Sequence, residues 1–196
     1  MTVLLVTPLQ KEMDAFLKSC AARGHKTTQT SIGRLPVAQV DSLHLIVALG
    51  GNGKIKFAVQ TQHLLDSGNN WHAVICAGTC GALTSDVSVG DVVVGPETIE
   101  HDYYNRFNER PTPSFAGDPD MLAALLGILT DDYSFNLHFG PIASGDEDIV
   151  DVNYSATRMR WSSPGKGPAE RAPLRLTSYP ILRSAPLPTG LIQMHR

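Results

Sequence analysis

The 196-residue sequence lacks any long apolar run, has few cysteines and carries neither of the common glycine-rich phosphate signatures. A membrane-crossing helix needs ~20 consecutive apolar residues, so no membrane partner is expected. The opening MTVLLVTP is a short apolar run with no basic flank and no small-residue cleavage site, so no secretory leader is expected either. Cysteine is limited to Cys20, Cys76 and Cys80, an odd set with two members in an apolar, Gly-rich segment. Such usage speaks against a disulfide framework and for a reducing cytoplasm. Cys76 and Cys80 also lack a second Cys/His pair nearby, so a zinc site is not expected. GxGxxG and GxxxxGK[ST] are both missing, which argues against a dinucleotide or a nucleoside triphosphate.

Hydrophobic residues make up 42% and charged residues 18% of the chain, enough for one substantial core and one domain. The net charge of -3 conceals an asymmetry: residues 1–150 hold 9 Lys+Arg against 17 Asp+Glu, and residues 151–196 hold 7 against 2. The basic part also carries six prolines. Its arginines stand singly among Pro and Ser, without aromatic interleaving or a helical stripe, so nucleic acid is not an expected partner.

Over the first 150 residues a βαβ rhythm is legible. TVLLVTP reads as a buried strand that stops at Pro8. LQKEMDAFLKSCAARG follows with apolar residues at 9, 13, 16, 17 and 20, a helical face closed by Gly24. LPVAQVDS and LHLIVALGG predict a strand hairpin; GNGK opens a helix over IKFAVQTQHLLDSG; HAVICAG returns as a buried strand. SVGDVVVGPETIEHDYY predicts a further strand with its exit loop. DPDMLAALLGIL predicts a helix with Asp118 as N-cap and Pro119 in its first turn, and NLHFGPIASGDEDIV another strand and loop. Alternation of this kind predicts an α/β sheet covered on both faces, with ligands at the carboxyl ends of its strands.

Several loops at those strand ends carry chemistry. TPLQKE puts Glu12 one turn into the first helix. On position alone it reads first as an ordinary solvated carboxylate near a helix N-terminus, and a carboxylate facing a ligand is the alternative. LGGNGK (49–54) and CAGTCGAL (76–83) place small residues after strands, where backbone N–H groups approach a ligand closely. HDYYNRF (101–107) mixes His, Asp, Tyr and Arg, with an exposed polar loop as its plain alternative. ASGDEDI (143–149) is the sharpest of the set, a Ser-Gly-Asp turn after an apolar strand.

In this order, the strand-1 loop with Glu12, GNGK, AGTCGAL, VGDVVV, the HD loop and SGDEDI resemble the nucleoside phosphorylase and hydrolase superfamily. The branch they resemble most is that of the methylthioadenosine/S-adenosylhomocysteine nucleosidases. The resemblance covers residues 1 to about 152. It implies a Rossmann-like three-layer sandwich with a mixed central sheet, a small-molecule purine nucleoside as substrate, no cofactor and a homodimer. It also implies that Glu12 orients and deprotonates the attacking water, that Thr79 is the small hydroxyl residue beside that water, and that Gly78 and Gly81 shape the pocket. Asp148 and Ile149 match the pair whose backbone recognises the purine edge; the family has an aromatic residue where this chain has Asp148.

Hydrolysis of an N-glycosidic bond passes through an oxocarbenium-like sugar and a departing anionic base. It therefore needs a positioned water, a general base and an acid for the purine. Where the phosphorylase branch has an arginine before its GSCG motif, this chain has Cys76, and the PGDP pattern is absent; both point to water as the nucleophile. The resemblance also calls for a ribose-binding glutamate in a motif such as VEMEA or AWEGAG, and a purine-protonating aspartate in one such as IRAATD or AISD. Neither is written after residue 152. Yet when each codon's third base is read with the next codon's first two, allowing synonymous choice, SPGKGPA (163–169) can encode AWEGAG. By the same rule YPILRSAPLPTGLIQMHR (179–196) can encode PYLEIRAATDRADSDAP. Synonymous freedom offers few residues per position, so recovery of both motifs in order argues that residues from about 153 are a frame-shifted reading. As written, 153–196 is expected to be irregular, with Pro164, Pro168, Pro173, Pro180, Pro186 and Pro188 interrupting any helix or strand and the sheet left with an exposed edge.

Overall fold

The fold, a computed structural model, describes residues 2–107, 110–127, 135–147 and 149, together with the backbone of a strand at 189–194. Strand β1 (Thr2–Thr7) runs into helix α1 (Gln10–Ala22); β2 (Thr28–Ile32), β3 (Leu35–Val40) and β4 (Leu45–Leu49) form an antiparallel series, and α2 (Lys54–Leu65) leads to β5 (Trp71–Cys76). Then come β6 (Val92–Gly95), β7 (Glu97–Glu100), β8 (Ser114–Ala116), α3 (Pro119–Leu126), β9 (Leu137–Phe139), β10 (Ile142–Ser144) and β11 (Thr189–Met194). Eight strands build a mixed sheet in the order β2-β3-β4-β1-β5-β11-β6-β9, and β10-β7-β8 make a smaller one.

Local chemistry accounts for the helix ends. After α1, Gly24 takes φ +82°, its N–H bonds to Ala21 O, and His25 N–H reaches Cys20 O, both at 3.0 Å. This is a Schellman ending, which a glycine with no Cβ adopts freely. Asp118 caps α3 by accepting from Met121 N at 2.9 Å, with Pro119 in the first turn as expected.

The alternation along β1 assigns the core to both faces of the sheet. Leu4 and Val6 join Phe57 and Leu64 of α2 and Trp71, Val74 and Cys76 of β5 in one cluster. Leu5 turns the other way, to Met13 of α1 and to Ala38, Val40 and Val47. With α1 on one face and α2 on the other, the sheet is the middle of three layers, as expected. Burial of a side chain such as Phe57, 1% exposed, contributes about 1.5–3 kcal/mol. Trp71 fills the same cluster and satisfies its indole N–H on Leu64 O at 3.0 Å. No helix among the described residues is long and apolar enough to cross a membrane.

Two expectations need correction. The segment read as one strand after Gly90 is divided at Pro96, with β6 in the large sheet and β7 in the small one. Proline supplies no ladder N–H, so the chain changes sheets there. The expectation of irregular chain throughout 153–196 fails at Thr189–Met194. This stretch forms β11 between β5 (parallel, Thr189 beside Val74) and β6 (antiparallel, Met194 beside Val92), so no edge is left open at that place. The six residues follow the last proline, Pro188, and contain none themselves. The gap between β5 and β6 presents unpaired N–H and C=O groups on both sides, which a proline-free strand satisfies. The rest of 153–196 lies outside the described residues.

Candidate active site

Strands β4, β1 and β5 are adjacent and parallel, so the segments that leave them emerge side by side at one end of the sheet. Gly50 N bonds to Thr7 O at 2.8 Å and Ala77 N to Val6 O at 3.1 Å, which ties the three exits together. Glu12, in the first turn of α1, lies against the loop after β5. Its Oε1 accepts from Thr79 N at 2.7 Å and from the Thr79 hydroxyl at 2.5 Å. Its Oε2 accepts from Leu9 N at 2.8 Å, one half of a capping box. The N-cap residue Leu9 has no side-chain acceptor, so the glutamate's own bond is what holds the helix start.

Gly78 completes this contact. A Cβ at that position would stand 3.0 Å from Pro8 Cδ and 3.3 Å from Glu12 Oε1, so the close approach of loop to carboxylate depends on glycine. A cleft of about 870 Å³ opens here, lined by Thr7, Glu12, Phe16, Gly78 and Thr79, and runs along α1 to His25. The Thr7 hydroxyl, on a residue 2% exposed, has no hydrogen-bond partner among the described residues. The sequence reading did not single it out, since a threonine ending a buried strand carries no local signal.

Glu12, Gly78 and Thr79 are thus brought together. Gly81 does not line this cleft, and among the described residues a Cβ there would meet nothing within 4 Å. Ile149 is half-buried beyond β10, and Asp148 lies outside the described residues. Cys76 and Cys80 flank the site without serving as nucleophiles. Burial, and then the negative charge of Glu12, push the Cys80 thiol up to about 12 and Cys76 higher still, so both stay protonated at neutral pH.

Other motif loops meet through charge. Lys54, the first residue of α2, places its Nζ 2.8 Å from both Glu100 Oε1 and Asp102 Oδ1. Asp146, after β10, accepts from Lys54 N at 2.6 Å and stands in for the side-chain cap that Gly53 cannot supply. GNGK, the HD loop and SGDEDI were each legible as motifs, but their joining was not. VGDVVV has a structural role. The buried Asp91 accepts from Ser88 N at 2.9 Å, Asn136 N at 3.0 Å and His138 Nε2 at 3.1 Å, which clamps β6 to β9.

A carboxylate fixed by three donors still has acceptor capacity for a water, and it stands in a cleft at the carboxyl end of a mixed α/β sheet. Residues 2–161 match the Phosphorylase superfamily, and the chain belongs to that family. It is 26% identical over 147 residues to a 5′-methylthioadenosine/S-adenosylhomocysteine nucleosidase of an Exiguobacterium species, covering 70% of this chain and 62% of that protein. It is 30% identical over 132 residues to a guanosine phosphorylase of Halorubrum lacusprofundi, covering 62% and 54%. The chain thus spans less than two thirds of the curated relatives it matches. The Campylobacter jejuni 5′-methylthioadenosine/S-adenosylhomocysteine nucleosidase structure superposes with a TM-score of 0.74 at 14% identity, over 100% of this chain and 85% of that one. At that identity the likeness concerns the fold.

Proposed function

We propose that this chain carries the catalytic base half of a purine nucleosidase that hydrolyses the N-glycosidic bond of methylthioadenosine- or S-adenosylhomocysteine-like nucleosides. The observation that carries this reading is the Glu12 carboxylate held by both Thr79 donors at the mouth of the cleft. Glu12 takes a proton from water as that water attacks the anomeric carbon. Thr79 and Leu9 N–H hold the carboxylate in place, and Gly78 allows the loop to approach. The negative charge also favours the positive sugar of the transition state. The backbone at Asp148 and Ile149 recognises the purine edge.

The polypeptide as written is impaired in this reading, because the purine-protonating aspartate and the ribose-binding glutamate are missing after a frame shift near residue 153. The family match, which stops at residue 161 of 196, supports that view. An adenine-release assay on the written chain and on a chain with the frame restored tests it. The restored chain should turn over faster by about 10²–10⁴, the usual contribution of a general acid; equal turnover in the two would sink the reading.

Phosphorolysis is the second reading, favoured by the guanosine phosphorylase likeness, and a phosphate requirement for product formation would reveal it. A non-catalytic purine-binding protein is the third, and binding without turnover in the restored chain would favour it. Homodimerisation is supported by exposed apolar side chains: Ile55 and Val59, one turn apart on α2, are 79% and 54% exposed, and Phe107 is 92% exposed. A reducing cytoplasm is the reading that the odd cysteine count, Cys20, Cys76 and Cys80, supports.

A further inference from the structure

The contacts of Lys54 close on themselves. Lys54 Nζ donates to Asp102 Oδ1 at 2.8 Å; the other oxygen, Oδ2, accepts from Asp146 N at 2.7 Å; and Asp146 Oδ1 accepts from Lys54 N at 2.6 Å. Three elements far apart in sequence meet in this ring: the start of α2, the chain just past β7 and the loop after β10. Glu100 binds the same Nζ from outside the ring. The loop runs so close that a Cβ on Gly145 would stand 2.5 Å from His101 Nε2 and 2.8 Å from Asp102 Cγ, and His101 N adds a bond to Ser144 O at 3.0 Å. The side chains of Lys54 and Asp102 are 23% and 10% exposed, so water screens that pair only in part, while the two bonds of Asp146 stand exposed.

We infer that Lys54 is a positioning residue: through Asp102 and Asp146 it fixes the backbone at Gly145 and Asp146, and from there the approach to Ile149, whose backbone holds the purine, so that it governs affinity for the base. This rests on the nucleoside reading above. Removal of the ammonium leaves Glu100 and Asp102, which share one nitrogen, as unbalanced neighbours. Their repulsion moves Asp102 and releases Asp146 N–H from its acceptor. The electrostatics agree with this assignment. Burial pushes the Asp102 carboxyl up, but Lys54 and Asp146 N–H outweigh it and hold the group below its usual range. For Lys54, burial pushes down and the Asp102 and Glu100 carboxylates outweigh it upward. The charged forms are therefore favoured together.

The test uses the 196-residue chain and its Lys54→Met, Lys54→Arg and Glu100→Gln variants, with hydrogen–deuterium exchange and titration with adenine as readouts. Lys54→Met should raise amide exchange in 145–149 and weaken adenine binding, each by about tenfold, the effect of one partly screened charged hydrogen bond. Residues 2–22 should keep their protection. Lys54→Arg should recover most of both effects, and Glu100→Gln, which leaves the ring closed, should keep the loop near wild-type protection. Unchanged exchange at 145–149 in Lys54→Met overturns the inference. So does exchange raised equally in 2–22 and 145–149 without rescue by arginine, which is the mark of a purely structural lysine. A loosened loop with unaltered adenine affinity overturns it while leaving the nucleoside reading intact. Absence of adenine binding by the written chain and by the frame-restored chain alike overturns the nucleoside reading itself.

Discussion

Replacing Glu12 by Gln tests the site without changing its size. The carboxylate accepts two hydrogen bonds on Oε1, at 2.7 and 2.5 Å, and one on Oε2, at 2.8 Å; the Thr79 and Leu9 N–H groups can only donate, whereas the Thr79 hydroxyl can turn to accept. An amide has one carbonyl and one NH₂. Its best orientation keeps the carbonyl on Thr79 and turns the NH₂ toward Leu9 N–H, donor against donor. The helix start then loses its cap bond, worth about 1 kcal/mol. The two Thr79 bonds fall from charged to neutral strength, about 1 kcal/mol each before screening. Glu12 is half-buried and Thr79 exposed, so a total of about 1–3 kcal/mol is expected after that discount. For a chain of this size each kcal/mol moves Tm by about 2–4 °C, so differential scanning calorimetry should find a clear fall. In the frame-restored chain the same change should reduce adenine release by about 10²–10⁴ through loss of the base. A Glu12→Gln protein with unaltered Tm would refute the three-donor anchoring, and one with unaltered turnover would refute the base.

Two further outcomes concern the scaffold. In Gly50→Ala the new Cβ would fall 2.3 Å from Phe57 Cδ2 and 2.8 Å from Val6 Cγ1, both on side chains 1% exposed; overpacking of this kind costs about 1–3 kcal/mol. A lower denaturant midpoint is expected, with partial recovery in Gly50→Ala/Phe57→Leu, and an unchanged midpoint would contradict the packing. Asp91 should make the fold acid-sensitive: Ser88 N–H, then Asn136 N–H, hold its carboxyl well below the usual range against the effect of burial, with His138 and the Asn136 amide assisting. A carboxyl lowered on folding contributes stability that is complete above its unfolded value near ~3.9 and is lost as pH falls toward the folded value. Urea midpoints followed downward from pH ~5 should therefore fall in wild type and flatten in Asp91→Asn; parallel curves would dismiss the clamp.

What the sequence determined by itself was what local chemistry can encode. The buried runs of β1 and β5, the apolar face of α1 with its Gly24 ending, and the Asp118-Pro119 start of α3 need only near neighbours in the chain, and all are found where expected. Glu12 and Thr79 were legible as a pair only through resemblance, because their hydrogen bonds cross 67 positions. The tertiary structure decided the rest. Strand β2 is polar and largely exposed, so no alternation announced it, and only pairing with β3 makes it a strand. Thr189–Met194 looked like the end of a proline-rich segment until β5 and β6 offered unpaired backbone on either side. Lys54, Asp102 and Asp146 sit in three motifs that were each readable, but their ring spans separations of 44 to 92 residues. Charge pairing over such distances has no period along the chain; it exists only once the sheet has brought the strand ends together.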